Sequence, residues 1–284
     1  VHIMEMIRLT IDGQPVEVPK GTTILKAAKQ INIEIPSLCF LGELNEAGSC
    51  RICVVEVEGA KGLQASCVTK VAEGMSVKTF SPAIREARKT IMELILANHN
   101  RECLTCARNL NCELQKLSND LGVGEVMYEK YNKLHPILDS SYSVVRDGSK
   151  CVLCGRCVNV CQKSQGVGVI KFAKRSMDTE ISTFFNKSLS DVECINCGQC
   201  IKFCPTGALR EADDTERVWN ALGDKNLHVV VQTAPAVRVA LGEEFGMPVG
   251  EDVEGKMVTV LRRLGFDKVF DTNFTADVTI HEEG

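Results

Sequence analysis

The stretch CVLCGRCVNVC, residues 151–161, constrains this chain more than any other, because a near copy, CINCGQCIKFCP, follows at residues 194–205. Each carries four cysteines at the spacing C-x2-C-x2-C-x3-C. Three thiolates on so tight a loop can wrap three irons of a cubane, and the fourth cysteine is carried too far to close the same site. The spacing therefore predicts two [4Fe–4S] clusters that exchange their last ligand. Cys151, Cys154 and Cys157 pair with Cys204, and Cys194, Cys197 and Cys200 pair with Cys161. Gly155 and Gly198 leave room for backbone N–H groups near the inorganic sulfides. Pro205 follows the last cysteine of the second half, and Gln162 stands in its place in the first, a change that touches loop rigidity more than ligation. Two structural zinc sites are the alternative. Zinc takes its ligands from separated pairs, usually C-x2-C and then a longer gap, and three cysteines at successive x2 spacing do not suit it.

The remaining cysteines lie upstream in two other arrangements. Cys39, Cys50, Cys53 and Cys67 follow C-x10-C-x2-C-x13-C. Four cysteines on the loops of a β-grasp domain suit a [2Fe–2S] cluster, although the plant-type pattern has a first gap of x4. By spacing alone, zinc is a rival here. HNRECLTCARNLNC then supplies His99, Cys103, Cys106 and Cys112 at H-x3-C-x2-C-x5-C. A lone histidine at a helix end is more often a cap or a solvated side chain. Yet three cysteines need a fourth partner, and no cysteine is spare. A histidine on iron removes one negative charge and raises the potential of a [4Fe–4S] cluster.

The rest of the chain is read around these groups. IRLTIDGQPVEV alternates on both sides of Asp12-Gly13, as a β-hairpin does. TTILKAAKQ reads as a short helix, and CVVEVE (53–58) and MSVKTF (75–80) read as strands, which is the order of a β-grasp domain. Ser81 caps a helix with Pro82 at its first position, running to about Asn98, with Ile84, Ala87, Ile91, Leu94 and Ile95 as its core stripe. Residues 113–150 read as helix and then loop. LHVVV (227–231) reads as a buried strand, VRVALGEEF and EGKMVTVLRRLG as helices, and FDKVFDT as a strand, the rhythm of an α/β domain. The expected organisation is α+β multidomain: 4–81 a [2Fe–2S] β-grasp domain, 82–140 a small helical His/Cys3 domain, 141–217 a double-cubane domain, and 218–284 the start of an α/β catalytic domain.

Charge and composition exclude some partners. A net charge of −4 over 284 residues argues against nucleic acid or an anionic membrane. No apolar run is long enough to span a bilayer, and VHIMEMIRLT has no secretory region. Fifteen cysteines then point to metal-bound thiolates in a reducing cytoplasm. Arg51, Arg101 and Arg156 could tune potentials or meet an acidic ferredoxin, but read first as surface or cap residues. His2, His135, His228 and His281 have no thiolates around them and receive no role.

The order of these cysteine groups resembles the N-terminal half of large [FeFe]-hydrogenases. It is shared in part with the large iron–sulfur subunit of respiratory complex I and with some NAD-linked formate dehydrogenases. Both double-cubane halves are complete here, and TAPAVRVALGEEFG (233–246) with GFDKVFDTNFTADVTIHEEG (265–284) resembles the opening of the hydrogenase catalytic domain. The resemblance implies one [2Fe–2S] and three [4Fe–4S] clusters. It implies flavin/NAD(P)-binding and small [2Fe–2S] subunits, or ferredoxin, as partners in a hetero-oligomer. It also implies an H-cluster, held by four cysteines in three later motifs that are not present. Fifteen cysteines and His99 match the sixteen ligands of four clusters, leaving none for a fifth. In the family, the pair matching Ala234-Pro235 lies beside the H-cluster; read locally, TAPAV is a strand-to-helix turn. Electron relay, without H2 chemistry from these residues alone, is the expected function. A formate dehydrogenase or complex I-like relay arm, a free-standing polyferredoxin and a zinc-bound interaction protein are the rivals.

Overall fold

The computed structural model describes residues 5–129 and 138–284, the backbone alone at 138–140. His2 and His135, and part of the 82–140 segment, lie outside the described residues. The chain divides into two compact units, Val1–Ala212 and Asp213–Gly284.

The first unit opens with β1 (Met6–Ile11) and β2 (Gln14–Pro19), joined at Asp12-Gly13. Both turn residues have positive φ, 48° and 80°, as a two-residue type I′ hairpin requires. Thr23 caps α1 (Ile24–Gln30), which buries Ile24, Leu25, Ala27 and Ala28 against the sheet. β3 (Val54–Val57), β4 (Gln64–Ala65) and β5 (Ser76–Lys78) complete five strands in the order β2-β1-β5-β3-β4, with β1 and β5 parallel. Ile11, Val18, Ile24 and Val55 are fully buried in this core, and each such side chain contributes about 1.5–3 kcal/mol.

Ser81 Oγ accepts from Ile84 N at 3.2 Å and starts α2 (Pro82–Ala97). The stripe expected on this helix is displaced. Ile84, Arg88, Met92 and Leu96 face inward, whereas Leu94 is 47% exposed and Ala87, Ile91 and Ile95 are half-buried. The cause is Arg88, a charged residue that turns inward because its Nη2 donates to Val54 O at 2.8 Å. After α3 (Glu113–Asp120) come two strands in a stretch whose sequence reads as loop, β6 (Leu138–Ser140) and β7 (Val144–Asp147). They are too short to show a period. β7 also pairs antiparallel with β10 (Leu209–Glu211). Between them lie α4 (Arg156–Asn159), the hairpin β8 (Lys171–Ala173) and β9 (Glu180–Ser182), and α5 (Gln199–Lys202). Leu38, Cys39, Cys50, Ile52, Met92, Leu96, Leu114 and Cys154 share one core, so residues from three expected segments are packed together.

The second unit holds α6 (Thr215–Gly223), β11 (Val230–Thr233), α7 (Val237–Glu244), α8 (Glu254–Leu264), β12 (Lys268–Asp271) and α9 (Thr272–Glu283). The boundary expected at 217/218 falls inside α6. β11 pairs parallel with β12 in a two-stranded sheet. The expected buried strand at 227–231 is instead mostly open, with Leu227 52% and Val230 48% exposed, because the described residues place no further strand beside it. Ala234-Pro235-Ala236 forms the turn from β11 into α7.

Candidate metal centres

Cys39, Cys50, Cys53 and Cys67 are all buried, around the edge of the five-stranded sheet. The antiparallel register Val54↔Ala65 brings the residues just outside β3 and β4 together. Ser66 then donates from both N and Oγ to Cys53 O, at 3.1 and 2.7 Å. Leu38 N donates to Cys50 Sγ at 3.4 Å. The four thiols interact directly. Hydrogen bonds from Cys50 and Cys67 pull the Cys39 thiol down to about 2, and Cys67 pulls Cys53 down to about 6. Cys50 and Cys67, as the donors, are raised.

Cys103 opens a single 3₁₀ turn after α2, and Cys112 is the N-cap of α3. Cys112 is raised, first by burial and then by the charges of Cys106 and Cys103. Gly207 makes room for this group: a Cβ there would stand 2.6 Å from Cys106 Sγ and 3.4 Å from Lys150 Cδ. His99 is held at about 4, by burial first and then by the Lys150 charge, so it is neutral at pH 7. Its Nδ1 is buried without a hydrogen-bond partner among the described residues. A neutral imidazole with a buried unpartnered nitrogen is suited to a metal.

The two repeats fold alike. Leu153 and Asn196 have φ of 52° and 53°, and Gly155 and Gly198 have φ of 76° and 70°, so both C-x2-C-G loops follow one path into α4 and α5. At Gly155 space matters too, since a Cβ would stand 3.0 Å from Phe172 Cζ. Cys151, Cys154, Cys157 and Cys204 line one cavity of about 750 Å³, which also reaches Cys50 and Arg51. Cys161, Cys194, Cys197 and Cys200 line a second. Burial pushes Cys151 and Cys200 up to about 12 and Cys154 up to about 11, and it raises Cys157 well above the usual thiol range. Such thiols become thiolates only when a cation compensates them, so metal loading releases protons. The halves differ at their ends. Pro205 follows Cys204 directly after α5, whereas the chain continues past Cys161 as a π-helical turn, Val160–Ser164, through Gln162. Proline could not continue such a turn.

Asn45, 1% exposed, is a tie that sequence reasoning missed. Its Nδ2 donates at 2.8 Å to both Cys39 O and Cys154 O, and its Oδ1 accepts from Asn159 Nδ2. A single asparagine in a loop carries no pattern that could have revealed this. Arg51 and Arg101 are exposed, as read; Arg156, read first as a surface or cap residue, is 7% exposed. It turns inward because both terminal nitrogens find the Glu113 carboxylate.

Four families match in succession. Residues 4–82 match a 2Fe-2S iron-sulfur cluster binding domain, and 88–127 the NADH-ubiquinone oxidoreductase-G iron-sulfur binding region. Residues 150–209 match a 4Fe-4S dicluster domain, and 227–284 the iron only hydrogenase large subunit, C-terminal domain. The NADP-reducing hydrogenase subunit HndD of Solidesulfovibrio fructosivorans is 47% identical over 99% of this chain and 49% of its own length. This chain resembles the N-terminal iron–sulfur portion of an [FeFe]-hydrogenase large subunit. Iron hydrogenase 1 of Clostridium pasteurianum is 42% identical over 98% of this chain, again covering 49% of the relative. The [FeFe]-hydrogenase-like chain thus spans about half the length of these relatives. The NADH-ubiquinone oxidoreductase 75 kDa subunit of Reclinomonas americana is 32% identical, over 92% of this chain and 38% of its own length. A solved NAD+-reducing [NiFe]-hydrogenase in the H2-reduced state superposes with a TM-score of 0.67 at 28% identity, covering 72% of this chain and 87% of that one. The three families matched over the cysteine-bearing segments are iron–sulfur families, which favours iron–sulfur clusters over zinc. No helix among the described residues is long and apolar enough to cross a membrane.

Proposed function

We propose that this chain is the iron–sulfur relay of an [FeFe]-hydrogenase subunit, passing electrons between a flavin/NAD(P)-binding subunit or ferredoxin and an H-cluster held elsewhere in the enzyme. The β-grasp unit would hold a [2Fe–2S] cluster on Cys39, Cys50, Cys53 and Cys67. Three [4Fe–4S] clusters would be held by His99 with Cys103, Cys106 and Cys112, by Cys151, Cys154, Cys157 and Cys204, and by Cys194, Cys197, Cys200 and Cys161. Such clusters supply one-electron exchange when bound. The protein's own part is to fix their spacing, exclude water and supply hydrogen bonds and charge.

The observation that carries this reading is the joining of the ligand loops. Asn45 ties Cys39 O to Cys154 O, while Glu113 N, next to Cys112, donates to Pro205 O, next to Cys204. Loops of the first two proposed sites are thus each tied to a loop of the proposed Cys151–Cys204 site, which supports a reading with two electron inputs meeting at one centre. The complex I-like alternative is favoured by the match over 88–127, but not by the hydrogenase match over 227–284.

Iron and acid-labile sulfide, measured per chain on anaerobically prepared protein, test the reading. The expected result is about 14 irons, one [2Fe–2S] and three [4Fe–4S]. Zinc in place of iron would refute electron relay.

A further inference from the structure

Arg156 and Glu113 are not ligands, yet they join two of the proposed sites. Arg156 lies between Cys154 and Cys157 and is buried. Its Nη1 and Nη2 donate to Glu113 Oε1 and Oε2 at 2.7 and 2.9 Å. Glu113 follows Cys112 directly and is half-exposed. A planar guanidinium gripped by both carboxylate oxygens is a fixed charge pair with one geometry. Its positive end is carried by the residue between Cys154 and Cys157, and its negative end by the residue that follows Cys112. Stability alone is a weak reason to keep it, because burying a guanidinium seldom repays its desolvation. Here Arg156 Nε is buried as well, with no hydrogen-bond partner among the described residues.

We infer that the Arg156–Glu113 pair is a positioning device that sets the difference in reduction potential between the two sites. The positive end favours an electron at Cys151/Cys154/Cys157/Cys204. The negative end disfavours one at His99/Cys103/Cys106/Cys112. The inference rests on reading both as [4Fe–4S] sites.

The test is a potentiometric titration, followed by electron paramagnetic resonance, of the full cluster-loaded chain. Wild type is compared with Arg156→Gln, Arg156→Lys and Glu113→Gln. Arg156→Gln is expected to lower the potential at its own site, and Glu113→Gln to raise it at the His99 site. Each shift is about tenfold in the one-electron equilibrium, about 59 mV. Arg156→Lys keeps the charge and stays near wild type. Unmoved potentials in both glutamine variants, with clusters intact, would overturn the inference. So would shifts of the same sign, which a loosened structure gives. Should Arg156→Gln lose its cluster, Glu113→Gln decides alone, and an unmoved His99-site potential overturns the inference. Wild-type protein without two distinguishable [4Fe–4S] signals at these sites would sink the site reading itself before any variant is compared.

Discussion

At the scale of single residues, the positions that matter most beyond the ligands are those that make room or tie loops. Gly207 is the sharpest case. Alanine there would put its Cβ 2.6 Å from Cys106 Sγ, with Lys150 behind it. The nearer atom, a thiol only two bonds from its own backbone, has little room to yield, and the strain is about 1–3 kcal/mol. Gly207→Ala is expected to lose about four irons per chain from the His99 site while the other signals persist. Iron analysis with electron paramagnetic resonance checks this, and full iron retention would show that Cys106 can move without consequence. The cysteines stand out in the sequence because their spacing suits a chemistry: a loop that wraps a cubane needs C-x2-C-x2-C. Gly207 and Asn45 were not legible, because each acts on a partner far away in the chain and leaves no local pattern.

At the scale of elements, α2 shows both what a sequence pattern captures and what it misses. Its start was legible, since Ser81 and Pro82 are a cap and a first-turn proline. Its inward face was not, because Arg88 breaks the apolar period yet turns inward to Val54 O. Ser81 also donates from Oγ to Glu56 Oε1 at 2.5 Å, which fastens the helix start to β3. Ser81→Ala removes the cap and this tie together. The expected cost is about 1–2 kcal/mol, read as a fall of about 2–4 °C or more in the thermal midpoint of the loaded protein. A midpoint unchanged within error would mean that the helix start is held by its packing alone. The hairpin at Asp12-Gly13 was legible for a reason of the same kind, since its two positive-φ residues announce the turn. The three-residue strands β6 and β8 carry no period to read.

At the scale of the whole molecule, the cysteine motifs say nothing of which buried residues pack together. Segments expected as three domains share buried residues from Leu38 to Cys154 in one core, within a single compact unit, Val1–Ala212. All fifteen cysteines and His99 fall in that unit. A chain shortened to residues 1–212 is therefore expected to keep about 14 irons and its full set of cluster signals. A large loss of iron on shortening would mean that the second unit helps to build the sites. The interlocked repeat also has a consequence in time. The cavity lined by Cys151, Cys154 and Cys157 takes Cys204 from the second repeat, and the one lined by Cys194, Cys197 and Cys200 takes Cys161 from the first. A growing chain cannot finish either one until the second repeat has left the ribosome. At about 5–20 residues per second, that leaves about 3–10 s during which the first repeat is exposed as bare thiols.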